Sequence, residues 1–211
     1  MTRVRRIARS PGSGRNYYLV DANFLANKHL PPMRAKTPHE RDRIVACQGW
    51  WAEIDQQLDD SVARVFVPDL CIAEAFKVVA KKHYREKWFP TYAEFKKTRD
   101  RLSADIRTPT KALKHFDRDV RFHDISTNRD IVISVDRFLE LFLKHGKNVQ
   151  IVDLILAATA KYLMEFYDIP RERLHIVTLD TALREGINKA ADLPNAFDPT
   201  LKQHRVQAVF Y

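Results

Sequence analysis

Five glycines in 211 residues leave little material for a phosphate-gripping loop, and neither G-x-G-x-x-G nor G-x-x-x-x-G-K-[ST] occurs. The only cysteines are Cys47 and Cys71. Two isolated thiols make no disulfide framework and point to a reducing, cytoplasmic setting. Eight histidines form no H-E-x-x-H motif and no Cys/His cluster, so zinc chemistry has no ligand set. No apolar run approaches the ~18 residues that span a bilayer. The apolar stretch behind the basic N-terminus contains Asp21 and Asn23, which makes a poor signal-peptide core. These absences remove nucleotide-loop enzymes, zinc hydrolases, disulfide scaffolds and membrane proteins.

What is present in excess is positive charge. The formal net charge is +9 and the pI about 9.6, a balance that attracts polyanions, most often nucleic acid. A generally basic surface would give the same totals, but the charge is unevenly placed. Residues 77–121 hold fourteen Lys or Arg against six acids, and Arg3, Arg5, Arg6, Arg9 and Arg15 stand in the first sixteen residues without an acid. The rest of the chain is mildly acidic. Residues 1–16 read as a flexible basic arm, open to three uses: phosphate contact, a frayed terminus or an Arg-rich transit segment.

From residue 17 onward, strand and helix signals alternate. Tyr17-Tyr18-Leu19-Val20 suits a buried strand, reaching to about residue 22, with a short helix behind it. Pro31, Pro32 and Pro38 then break the chain. Residues 39–58 read as a helix. Ala63 to Val67 reads as a strand stopped by Pro68, and Asp69 is suited to cap a helix over 70–84. The segment 85–117 is helical in composition but more polar, an inserted helical pair anchored by Trp88, Phe89, Tyr92 and Phe95. A strand over 120–125 follows, then a helix over 128–145 capped by Ser126 or Thr127. Next come an apolar helix over 149–167, a strand over 174–178, a helix over 181–190 and a last strand over 205–210. The pattern predicts a three-layer α/β/α fold with a mainly parallel sheet of about five strands.

Four carboxylates stand out against this frame. Asp21 and Asp180 each follow a strand, where an open parallel sheet places its ligand crevice. Each is equally suited to cap the helix that follows. Asp153 lies in a run of Ile, Val, Leu and Ala, where an unpaired buried carboxylate is costly. Backbone N–H groups of a first helical turn could also satisfy it. Glu74 has apolar neighbours too, and its plainer reading is an ion pair with Lys77 or Lys81. Four such groups at one sheet edge would repel one another unless a cation sat among them, and all-oxygen ligands favour Mg²⁺ or Mn²⁺. That site chemistry suits displacement at a phosphate.

Val20-Asp21-Ala22-Asn23-Phe24-Leu25, Ala73-Glu74-Ala75, Val152-Asp153-Leu154 through Ala160, and Val177-Thr178-Leu179-Asp180 together resemble the PIN-domain ribonucleases, which include the VapC-type toxins. The resemblance covers about residues 16–84 and 118–211. It implies a parallel sheet and a Mg²⁺- or Mn²⁺-dependent endoribonuclease whose acidic quartet is Asp21, Glu74, Asp153 and Asp180. Thr178 matches a position whose hydroxyl supports the site, and Asn23 stands beside it. RNA is the implied partner, with an antitoxin-like protein and a second copy of the chain as further ones. The arm and the segment 85–117 depart from compact members of the family.

Lys77, Lys81, Lys82 and Arg85 continue the Glu74 helix toward Trp88, Phe89 and Tyr92, a mixture of cations and aromatics that suits single-stranded RNA. Packing of those aromatics into the core is the plainer use of them. Two other functions fit parts of the pattern. One is a non-catalytic RNA-binding or RNA-processing assembly protein on the same scaffold. The other is an aspartyl phosphotransferase, which Asn23 disfavours by occupying the position where a second acid is usual. For the nuclease, Asp21→Asn is expected to abolish cleavage with the fold intact.

Overall fold

The structure is a computed structural model that describes residues 14–107 and 122–204. Among the described residues five strands form one sheet: β1 (Asn16–Val20), β2 (Ala63–Pro68), β3 (Phe122–Ile125), β4 (Leu174–Val177) and β5 (Ala196–Phe197). Their order is β3-β2-β1-β4-β5, and every pairing is parallel. Helices flank the sheet in a three-layer α/β/α arrangement. They are α1 (Ala22–Asn27), α2 (Pro38–Asp59), α3 (Asp69–Tyr84), α4 (Tyr92–Ile106), α5 (Arg129–Lys144), α6 (Ile151–Tyr167) and α7 (Thr181–Ile187). None of these helices is long and apolar enough to cross a membrane.

Strand β1 is central because it has neighbours on both edges and helices on both faces. Tyr18, Leu19 and Val20 are fully buried, as an unbroken apolar run in a parallel sheet requires. The chain builds outward from β1 to β2 and β3, then returns to β1's other edge with β4 and β5. That reversal opens a crevice beyond the carboxyl ends of β1 and β4. Behind the sheet, Phe24 stacks on Trp51 at 4.7 Å, and the Trp51 indole N–H donates to the Phe24 carbonyl at 3.0 Å. The start of the crevice is thereby anchored to α2. At the other side, α7 approaches α5 so closely that a Cβ on Gly186 would stand 2.1 Å from the Phe142 ring.

Several boundaries differ from the sequence reading for local reasons. Helix α3 is capped at Pro68 rather than Asp69. Asp69 is its first residue, and its carboxylate accepts from Thr127 Oγ1 at 2.6 Å and from the Thr127 N–H at 3.2 Å. With Thr127 so engaged, Asn128 caps α5, its side chain accepting from the Ile131 N–H at 3.0 Å. The fifth strand is the two-residue Ala196–Phe197, too short to leave a periodic signal. The expected strand over 205–210 and the arm's first thirteen residues lie outside the described residues. So does the second part of the expected helical pair, of which α4 is the described helix.

Candidate active site

Four elements deliver the four carboxylates to one cavity. Asp21 stands between β1 and α1, Glu74 in the second turn of α3, Asp153 in the first turn of α6, and Asp180 between β4 and α7. All four line the same open pocket, together with Asn23, Cys71 and Gln150, and among the described residues the lining contains no Lys or Arg. The strand–acid–helix pattern accounts for two of these placements. The other two come from helices that start at the same edge of the sheet.

Asp21 is both a cap and a buried acid. Its Oδ1 accepts from the Phe24 N–H at 2.6 Å, while Oδ2 accepts from Thr178 Oγ1 at 2.5 Å and from the Leu179 N–H at 3.1 Å. Only 7% of the residue is exposed. Burial pushes its pKa up to about 6; the three donors pull it down, and the charge of Asp180 adds to the rise. Thr178 is fully buried and has a double role, since the same hydroxyl accepts from the Asp180 N–H at 3.0 Å. One side chain thus fixes Asp21 and the backbone of Asp180 relative to each other. Asp180 caps α7, its Oδ1 accepting from the Leu183 N–H at 2.7 Å.

Asp153 accepts from the Gln150 N–H at 3.0 Å through Oδ2. Burial again raises its pKa to about 6, and repulsion from Asp180, Asp21 and Glu74 adds to the rise. Both the capping use and the crowding are therefore real. Glu74 makes no ion pair or hydrogen bond among the described residues, so the expected pair with Lys77 or Lys81 does not form. Its two oxygens are uncommitted. Cys71, one turn before Glu74 on α3, is buried, and its thiol is pushed well up by burial and then by Asp21, Glu74 and Asp153. It is a neutral wall of the cavity.

The donor set is all oxygen and strongly anionic, which fits a hard divalent cation. Among the described residues, however, no group of three or more such side chains is drawn together into a finished metal cluster. Asp21, Asp153 and Asp180 each turn an oxygen toward backbone N–H groups. The same geometry sets the cost of an amide at position 21. Both oxygens of Asp21 face donors, so an amide NH₂ there would oppose an N–H or a hydroxyl.

The chain matches no protein-family model and no curated protein. Its backbone is similar to solved structures. The structure of FitAB bound to an IR36 DNA fragment has a TM-score of 0.51 at 16% identity, over 89% of this chain and 98% of that one. The fold is PIN-like. VapBC2 from Rickettsia felis, bound to a promoter DNA fragment, gives 0.49 at 11% identity, over 86% and 98% of the two chains. FitAcB from Neisseria gonorrhoeae gives 0.49 at 18%, over 86% and 97%.

On this PIN-like frame the basic residues of α3 divide into two groups. Lys77, Lys81 and Arg85 are exposed. Lys82 is mostly covered: its Nζ bonds to Glu40 and to Glu86, the latter at 2.7 Å, and lies 4.0 Å over the Trp88 ring. That cation is committed to holding α2, α3 and the following turn together, which removes it from the RNA-facing set. Trp88 and Phe89 are 2% and 5% exposed, so their use is packing. Cys71 and Gln150 were missed as lining residues. Their signals were a position one turn before Glu74 and a place three residues before Asp153.

Proposed function

We propose that this chain is a Mg²⁺- or Mn²⁺-dependent endoribonuclease acting on single-stranded or structured RNA, and the toxin of a toxin–antitoxin pair. The observation that carries the reading is the convergence of Asp21, Glu74, Asp153 and Asp180 on one cavity whose lining, among the described residues, has no cationic side chain. Clustered carboxylates without a counter-charge raise one another's proton affinity, and a divalent cation relieves that repulsion. When bound, such a cation supplies Lewis-acid polarisation of a phosphodiester and activation of water.

Asp21, Asp153 and Asp180 would hold the metal in this reading. Glu74 has both oxygens uncommitted and would complete the set or accept a proton from the attacking water. Thr178 positions Asp21 and Asp180 through its hydroxyl. Asn23 stands exposed at the cavity rim, where it could meet the substrate. The protein partners of the reading are an antitoxin-like chain and a second copy, acting in the cytoplasm. Helix α5 leaves Val132, Leu139 and Leu143 exposed on one side, apolar surface that a protein partner would cover.

Purified protein should cleave single-stranded RNA with Mg²⁺ or Mn²⁺ and stop on addition of EDTA. Asp153→Asn and Glu74→Gln should each remove cleavage while leaving a cooperative thermal transition. Undiminished cleavage in EDTA or in both variants would sink the reading. That no group of three or more such side chains draws together among the described residues favours one alternative, an RNA-binding assembly protein on the same scaffold. Salt-sensitive RNA binding with no metal-dependent cleavage would select it.

A further inference from the structure

Helix α3 carries more than Glu74 on its outer side. At 3.6 residues per turn, Glu74, Lys77, Lys81, Tyr84 and Arg85 fall within an arc of about 100°. Tyr84 lies about 15 Å along the axis from Glu74. The buried residues of the helix, Cys71, Ala75 and Val79, occupy a separate arc centred about 130° away. A line of cations therefore leaves the carboxylate cavity and ends at an aromatic ring.

That ring is not packed away. Tyr84 is 58% exposed and Tyr92, at the start of α4, is 55% exposed. Both lean on one rigid support. His83 and Phe95 stack at 4.5 Å with planes 8° apart, and Phe95 is buried. Tyr84 meets Phe95 at 5.6 Å and His83 at 4.6 Å; Tyr92 meets them at 5.7 and 6.2 Å. Each phenol meets this support at an angle of 56–68° and keeps more than half of its surface exposed, so stacking a planar group on them costs little ordering.

We infer that Tyr84 and Tyr92 form a stacking platform for bases of a single-stranded nucleic acid whose phosphates follow Lys77, Lys81 and Arg85 away from the cavity. This rests on the nuclease reading for the direction of the strand, and it names how substrate is held outside the reacting centre. Cations and open aromatic rings along one line match a chain that alternates phosphate and base. An acidic polypeptide would use the cations but would have no need of two bare rings.

The test is the anisotropy of a fluorescent oligouridine titrated with the full chain in EDTA, so that binding is read without cleavage. Tyr84→Ala and Tyr92→Ala should each weaken binding about ten-fold, with Tyr84→Phe and Tyr92→Phe close to wild type. The salt slope should stay unchanged in the tyrosine variants and fall by roughly 0.7 for each of Lys81→Gln and Arg85→Gln. Wild-type affinity in the alanine variants would overturn the inference. So would equal loss in the Phe variants, no oligouridine binding at all, or tyrosine-dependent binding of polyglutamate in its place. Failure of cleavage in Mg²⁺ with tyrosine-dependent binding intact would sink the nuclease reading and leave the platform standing.

Discussion

Replacing Asp153 by Asn should make the metal-free protein more stable while removing its activity. The folded Asp153 carboxyl has a pKa of about 6, against an ordinary value of 3.8. Because the folded value is the higher one, the native state binds the proton more tightly than the unfolded chain. Stability from this group is therefore full below about pH 4 and is lost as pH rises through about 6. Two units correspond to about 3 kcal/mol at 1.36 per unit. Asp153 is only partly buried at the cavity mouth, and solvent screening reduces the figure to about 1–2 kcal/mol. Asn keeps an oxygen for the Gln150 N–H, so the capping bond survives. At this size about 1–2 kcal/mol is a rise in Tm of roughly 3–6 °C. The assay is thermal unfolding in EDTA at about pH 7.5 and about pH 5. The gain should appear at the higher pH and shrink at the lower. Lower stability of the variant at neutral pH, or a gain independent of pH, would refute the argument that burial, with repulsion from the neighbouring carboxylates added, penalises the charged Asp153.

Asp21→Asn should lack this gain, because an amide facing the Phe24 and Leu179 donors costs about 1–3 kcal/mol and offsets the charge relief; the two variants' Tm values compared in one buffer check it. Thr178→Val should lower stability by about 1–3 kcal/mol and reduce cleavage, with Thr178→Ser restoring both, since only the hydroxyl joins Asp21 to the Asp180 N–H. His175, buried beside Tyr18 and Phe197, has its pKa lowered to about 4 by burial and then by Arg173. Its contribution to stability is present above about pH 6.5 and is lost as pH falls toward 4. An NMR titration that placed the imidazole near its ordinary value would contradict this. Lys82→Ala should cost roughly 2 kcal/mol by leaving Glu40 without its cation and Glu86 with only the more distant Lys81. The salt dependence of oligouridine binding should not change, whereas Lys81→Gln should alter it and spare stability.

The sequence by itself determined four of the sheet's five strands and most of its helices. An apolar run such as Tyr18-Leu19-Val20 has no reason to be unbroken unless both faces are covered, and parallel sheets are covered on both faces. It also marked all four carboxylates, because an acid after a strand or inside an apolar helix is locally conspicuous. Their meeting was not local. Asp21 and Asp180 share a cavity because β4 returns to the edge of β1, and the bond from Thr178 spans 157 positions. The tertiary structure alone decided how each polar group is used. Lys82 and Lys81 are adjacent and chemically alike, yet one lies over the Trp88 ring between two glutamates, while the other stays mostly exposed with Glu86 at 3.8 Å. Trp88 and Tyr84 are both aromatic; packing buried the first and left the second open. Local sequence sets which side chains are available. The long-range packing of α2, α3 and α4 sets which of them are consumed in holding the fold and which remain for a partner.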